Sequence, residues 1–268
     1  MKVALAQMIS GADATLNLGV IKNRIKEASE KGAELVIFPE NCLLMDSANY
    51  ATYADLLEQS PSPLDEISEL AAKHEIAVIL GSVPMYGEDE RKVKAVAVAW
   101  NKQGEKICRY EKIHLFDARV GDAHGVYRES AFFAPGNKVV MADINGFNVG
   151  FSICYDLRFP LLFQNLRLQG ADIVIVPAAF TQFTGEAHWE PLLRARAIEN
   201  QMYVLGINQG GTHTPTRETY GRTMAVDPWG TVVDSLEKGE GLLVVDICKD
   251  KILDIRNSMP VFEHRRKL

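Results

Sequence analysis

Gly32-Ala-Glu-Leu-Val-Ile-Phe-Pro39 and Gly170-Ala-Asp-Ile-Val-Ile-Val-Pro177 match position by position in residue type, and their reading decides the fold. Each is a glycine-led turn running into four consecutive apolar residues, the pattern of a strand covered on both faces. A helix-period segment precedes each, over residues 16–33 and 161–169, and each of those follows another apolar run, at 3–7 and 149–153. Two related strand–helix–strand units, each needing helices over its strands, predict two sheets packed face to face with helices outside.

Further apolar runs at 76–80, 93–100, 203–207, 223–226 and 242–247 and helix periods at 64–74, 189–201 and 249–257 extend the same α/β pattern along the chain. Asn101-Lys-Gln-Gly104 and Asp227-Pro-Trp-Gly230 are hairpin signals between strand runs, so the sheets are expected to be mixed rather than purely parallel. A chain of 268 residues that is 47% hydrophobic suits one sizeable domain spanning 1–268, with residues from about 258 onward as a C-terminal tail.

A net charge of −6 provides no basic field for phosphate backbones or anionic lipid, so neither nucleic acid nor membrane is expected as a partner. Cys42, Cys108, Cys154 and Cys248 are scattered, without Cys-x-x-Cys or zinc-finger spacing, and read as free thiols with no metal site. The opening residues lack the apolar core and cleavage site of a signal peptide, and no segment has bilayer-spanning length. A reducing cytoplasm is the expected compartment.

Chemistry concentrates where apolar runs end. Glu40 follows Phe38-Pro39, Lys112 lies in Tyr110-Glu-Lys112-Ile-His114, and Cys154 ends the run Gly150-Phe-Ser-Ile before Tyr-Asp-Leu-Arg158-Phe-Pro160. Ligands of α/β sheets bind beyond strand carboxyl ends, and a pseudo-two-fold between the units would turn these ends into one cleft. A carboxylate, an amine and a thiol supply base, cationic oxyanion partner and nucleophile, the set required to hydrolyse a carbon–nitrogen bond. Pro160 favours a first helical turn after Cys154, whose amides can lower a thiol pKa and hold an oxyanion. The aperiodic stretch 116–136, which carries His124 and Glu129, is placed over the site as a functional loop.

These three segments closely resemble, in order, the catalytic motifs of the nitrilase superfamily of carbon–nitrogen hydrolases, and the likeness runs from Val3 to about Arg266. The resemblance implies a four-layer α-β-β-α sandwich. It makes Glu40 the general base, Lys112 the oxyanion-stabilising cation, Cys154 the nucleophile and Glu129 a second glutamate that orients lysine and substrate, with the Tyr155 backbone amide completing the oxyanion pocket. No cofactor is implied, and family members commonly form homodimers or larger homo-oligomers.

Cys-Tyr-Asp-Leu-Arg158-Phe, Phe180, Thr184-Gly-Glu-Ala-His188-Trp189-Glu190 and Asp227-Pro-Trp-Gly230 resemble the branch of omega-amidases and deaminated-glutathione amidases. That branch implies hydrolysis of a small carboxylate-bearing primary amide, an omega-amide of a dicarboxylic or oxo-acid or deaminated glutathione, to carboxylate and ammonia through a thioester. Loops around 116–136 and 180–188 are expected to shape the pocket, with Arg158, Phe180, His188 and Trp189 as substrate-binding residues. Arg158 is preferred over Arg194 and Arg196 as the carboxylate partner because it lies nearest the nucleophile. His114 and His188 invite a Cys-His dyad, but a histidine near a strand end reads first as a structural hydrogen-bonding residue.

Two other readings stand beside this one. An N-carbamoyl amino-acid amidohydrolase would share the three catalytic residues, although the Asn-Asp-Arg-Arg-Trp type of nucleophile motif is missing here. A non-catalytic binding module on the same fold would be expected to lose one of Glu40, Lys112 or Cys154, and all three are present.

Overall fold

Strand, helix, strand is the unit from which the chain is built. In the computed structural model, which describes residues 1–87 and 92–266, the strands are β1 (Lys2–Gln7), β2 (Leu35–Ile37), β3 (Ala77–Tyr86), β4 (Val93–Trp100), β5 (Lys106–Glu111), β6 (Asp117–Arg119), β7 (Val126–Arg128), β8 (Met141–Ile144), β9 (Phe147–Phe151), β10 (Ile173–Ala178), β11 (Tyr203–Asn208), β12 (Thr212–Thr214), β13 (Arg217–Glu218), β14 (Met224–Val226), β15 (Val232–Ser235) and β16 (Gly241–Asp246). The helices are α1 (Ala14–Glu30), α2 (Tyr50–Leu57), α3 (Pro63–Lys73), α4 (Pro160–Leu168), α5 (Gln182–Asn200) and α6 (Lys249–Ser258).

Two six-stranded sheets carry the fold, ordered β16-β1-β2-β3-β4-β5 and β15-β14-β11-β10-β9-β8. Written from the other edge, the second sheet reproduces the first: an antiparallel edge strand, three parallel strands, then two antiparallel ones. Both are therefore mixed, and together with the helices outside them they form the α-β-β-α sandwich. Alternation along the first sheet shows why both faces must be covered. Leu35 and Ile37 point into the core between the sheets, while Val36 and Phe38 point into the core beneath the helices.

The paired motifs end their helices in the same way. Lys31 and Gln169 cap α1 and α4, followed by Gly32 at φ +74 and Gly170 at φ +97. Ala33 and Ala171 then return hydrogen bonds to the carbonyls of Ala28 and Leu166. A residue with a side chain rarely adopts that left-handed conformation, which is why glycine opens both motifs.

Helix α5 departs from the expected pattern. Residues 182–188, read as loop, are helical from Gln182, with Thr181 as N-cap accepting from the Thr184 amide at 3.2 Å. Polar residues surround Gly185 and hide the period. The glycine is needed because a Cβ there would meet Tyr220 Cβ at 2.3 Å. The stretch 116–136 is also structured, into the β6–β7 hairpin and a 3-10 turn over Glu129–Ala131. Among the described residues no helix is long and apolar enough to cross a membrane.

Candidate active site

Glu40, Lys112, Glu129 and Cys154 line one cleft. Glu40 arrives beyond β2, Lys112 directly after β5 and Glu129 directly after β7, whereas Cys154 comes from the second sheet beyond β9. Residues separated by more than a hundred positions therefore meet because the carboxyl ends of strands from the two sheets face each other.

Lys112 is almost completely buried, with its Nζ 2.7 Å from Glu40 Oε1 and 2.8 Å from each carboxylate oxygen of Glu129. Burial opposes its charge, but the carboxylates of Glu129 and Glu40 outweigh that penalty and hold its pKa well above the usual lysine value. Burial raises Glu129 from the ordinary carboxylate range even against the pull of Lys112. Its Oε2 also accepts from the Phe116 amide at 2.6 Å, which helps fix the carboxylate. The second Glu40 oxygen accepts from the Ala179 amide at 2.8 Å, and its main-chain carbonyl accepts from Gln209 Nε2 at 2.9 Å. Glu40 is thus held by donors from both sheets.

The thiol of Cys154 lies in the same cleft as the Glu40 carboxylate, whose charge acts on it. Its backbone adopts φ +47 and starts a 3-10 turn over Cys154–Arg158, a sharp bend that directs the side chain into the cleft. Such a conformation is costly for a residue with a side chain and persists only where its surroundings impose it. Asp156 is the restraint. Fully buried, it accepts from the Ile153 amide at 2.9 Å, the Tyr110 hydroxyl at 2.7 Å and the His114 amide at 3.0 Å, and its Oδ1 lies 2.7 Å from His114 Nδ1. First turns leave amides without an intrahelical acceptor, so the Tyr155 N–H is available beside the thiol.

One expectation about this turn is reversed. Burial first, then the Glu40 charge, push the thiol pKa well above its ordinary value, with Lys112 opposing them. The resting site thus favours a protonated thiol next to a carboxylate.

A smaller arm of about 220 Å³ shares Cys154 and Phe116 with the cleft and adds Tyr155, Arg158, Phe180 and Thr184. The Arg158 guanidinium lies 5.1 Å from the Phe180 ring centre and its Nη1 is 3.2 Å from His188 Nδ1, so Arg158 and Phe180 wall this arm. His188 is exposed at its rim. Trp189 has a different place: it is fully buried, its indole N–H donates to the Arg222 carbonyl at 2.8 Å, and its ring backs Phe180 at 4.9 Å. It lines neither arm, because the α5 face that carries it turns into the core. Arg196 is buried and Arg194 bonds the Gly230 carbonyl, so both serve packing. His114 stacks on Phe159 and pairs with Asp156, away from either arm.

Tyr50 and Arg217 also line the cleft and had no motif to announce them, whereas Arg128 arrives with the 116–136 stretch expected over the site. Only Asp156 left a local signal, an acidic residue three positions after Ile153 at the start of a turn.

The carbon-nitrogen hydrolase family model matches residues 2–257, and the chain belongs to that family. It is an amide-hydrolysing enzyme. It is 46% identical over 267 residues to a deaminated glutathione amidase of Yersinia enterocolitica, covering 98% of this chain and 92% of that protein. Among solved structures, the Caenorhabditis elegans NitFhit protein superposes with a TM-score of 0.91 at 36% identity, over 99% of this chain and 65% of that one. An amidase from Nesterenkonia sp. AN1, solved with acrylamide added at its active site cysteine, has a TM-score of 0.80 at 26% identity, over 97% of this chain and 98% of that one.

Proposed function

We propose that this enzyme cleaves small carboxylate-bearing amides through a thioester on Cys154, with deaminated glutathione and short omega-amides of oxo-acids as substrates. The observation that carries the proposal is the buried Lys112, held between Glu40 and Glu129 in the cleft that the Cys154 thiol also lines. Glu40 takes the thiol proton as Sγ bonds to the amide carbon. The carbonyl oxygen becomes an oxyanion held by Lys112 Nζ and the Tyr155 amide. The carbon–nitrogen bond then breaks, Glu40 gives its proton to the departing nitrogen, and the amine leaves. Water, deprotonated by Glu40, attacks the thioester and returns the thiol and a carboxylic acid.

Glu129, in this scheme, is a positioning residue that fixes Lys112. A raised thiol pKa suits the sequence, because the proton moves to Glu40 only when the carbonyl is in place. Arg158 is the proposed partner of the acyl carboxylate. Deaminated glutathione joins its acyl part to cysteinylglycine, so its product would be that dipeptide, while ammonia is released from primary omega-amides alone.

A product-release assay over oxo-acid omega-amides, deaminated glutathione, simple nitriles and N-carbamoyl amino acids tests the proposal. Turnover confined to the first two is expected. Preference for N-carbamoyl amino acids would assign the chain to the rival activity, and no turnover with any of them would favour a binding module.

A reducing, cytoplasmic setting and assembly as a homodimer or larger homo-oligomer belong to the same proposal. Exposed Leu161 and Leu168 on α4 and Ile198 on α5 favour association through the helices nearest the nucleophile. Sedimentation of a single monomeric species would contradict it.

A further inference from the structure

The thiol stands where two arms of unequal size meet, and the groups in each arm assign the halves of the substrate. Glu40, which must hand a proton to the departing nitrogen, lines only the larger arm, whereas Arg158 lines only the smaller. The acyl half is therefore directed toward Arg158 and the amine half toward the side of the cleft that Arg217 lines.

Charge in the larger arm is unbalanced toward its mouth. Lys112 is neutralised by its two carboxylates and Arg128 faces Asp117 across the β6–β7 hairpin, whereas Arg217 forms no ion pair among the described residues, although Asp122, Glu186 and Glu218 line the groove on its outer side. Arg128 is exposed, and Arg217 is half-buried. The Arg217 charge reaches the phenols of Tyr50 and Tyr127, where it opposes the rise that burial causes.

Its platform is rigid. Arg217 stands on the β12–β13 hairpin, where its amide bonds Thr214 Oγ1 at 3.1 Å. His213 ties the same hairpin to the Ser10 carbonyl at 2.7 Å and to Thr219 Oγ1 at 2.8 Å. Thr219 in turn forms a bridge to Thr181 at the start of α5. A guanidinium lining a cleft from such a platform suits a carboxylate, which it can meet with two parallel hydrogen bonds.

We infer that Arg217 forms an anionic subsite for the leaving amine, so that the preferred substrate carries one carboxylate on each side of the scissile bond: one met by Arg158, the other by Arg217. The inference rests on the amidase reading above and adds to it the amine half of the substrate.

The test uses three amides of one oxo-dicarboxylic acyl group, made with cysteinylglycine, with cysteinylglycine carboxamide and with ammonia. Wild-type enzyme is expected to favour the charged dipeptide over its carboxamide by about ten- to a hundredfold in kcat/KM, as a charge-assisted contact allows. In Arg217→Gln that ratio should fall to about one. An unchanged ratio in the variant, or a wild-type ratio of one, overturns the subsite. The wild-type ratio needs no substitution, so a variant that fails to fold does not rescue the idea. Wild-type turnover of the amides without discrimination removes only the Arg217 assignment; turnover of none of the three removes the amidase reading and the subsite together.

Discussion

The two strand–helix–strand units are built alike and end differently. Val3 pairs with Leu35 as Val149 pairs with Ile173, so the register that aligns the units sets Met8 of the first opposite Cys154 of the second. Met8 runs straight on from β1: it forms an isolated parallel bridge to Gln209 just past β11 of the other sheet, and its carbonyl accepts from the Gly210 amide at 2.8 Å. Cys154 instead turns back at φ +47 into a 3-10 helix restrained by Asp156. Beyond the next strand the roles exchange. The first unit presents Glu40, and the second presents the apolar Ala178 followed by the Ala179 amide, which holds that glutamate. In the proposed mechanism one unit thus supplies the base and the other the nucleophile, and the chemistry would follow from how each strand ends rather than from how the sheets are made.

The largest effect should come from breaking that asymmetry. Cys154→Ala is expected to abolish turnover, a loss on the order of 10⁴-fold or more, with the fold retained because alanine fits a small buried site. The matching change in the other unit, Met8→Leu, conserves volume and should leave kcat intact at a stability cost of about 1 kcal/mol or less. Comparable activity losses at the two positions, read by steady-state kinetics beside melting curves, would contradict the division of roles.

Next come the groups that join the units. Glu40→Gln and Lys112→Met should each lower kcat by about a hundredfold or more. They differ in stability: Lys112→Met leaves two buried carboxylates facing one another and should cost about 3–5 kcal/mol, visible as a fall in the denaturant midpoint.

A pH measurement sharpens the comparison through His213, which ties Ser10 of the first unit to the β12–β13 hairpin of the second half. Burial lowers its pKa to about 4, so the folded protein keeps it neutral while the unfolded chain binds a proton below about 6.5. The unfolded state then holds more protons, and stability falls as pH drops from about 6.5 to about 4, by about 3 kcal/mol from this group. His213→Gln should flatten that part of the stability profile; an identical acid slope would remove His213 as its cause.

The smallest expected effects are the symmetrical ones. Gly32→Ala and Gly170→Ala each force alanine into a left-handed conformation without a close clash, since nothing lies within 4 Å of the first Cβ and Asn148 Nδ2 is 3.8 Å from the second. Each should cost about 1 kcal/mol and spare activity. A much larger loss on one side would show that the two turns are not equivalent.

What the sequence made legible was local and periodic. Glycine-led turns and buried apolar strands gave both halves of the sandwich, and Glu40, Lys112 and Cys154 could be read because each closes such a strand. The 116–136 stretch was legible as part of the larger arm, but Tyr50 and Arg217 were not, since they reach it from α2 and the β12–β13 hairpin through contacts distant along the chain. Trp189 misled for a related reason. With Gly185 interrupting a polar stretch, the true start of α5 was hidden, and so was the face that buries the indole behind Phe180.

Covalent capture tests the division of labour most directly. Enzyme mixed with an oxo-acid omega-amide and quenched in acid within one turnover should gain the mass of the acyl group on the peptide containing Cys154, and Cys154→Ala should gain none. Turnover that proceeds without that adduct, or an adduct carried by a different residue, would contradict the assignment of Cys154 as the nucleophile that the second unit presents to Glu40 of the first.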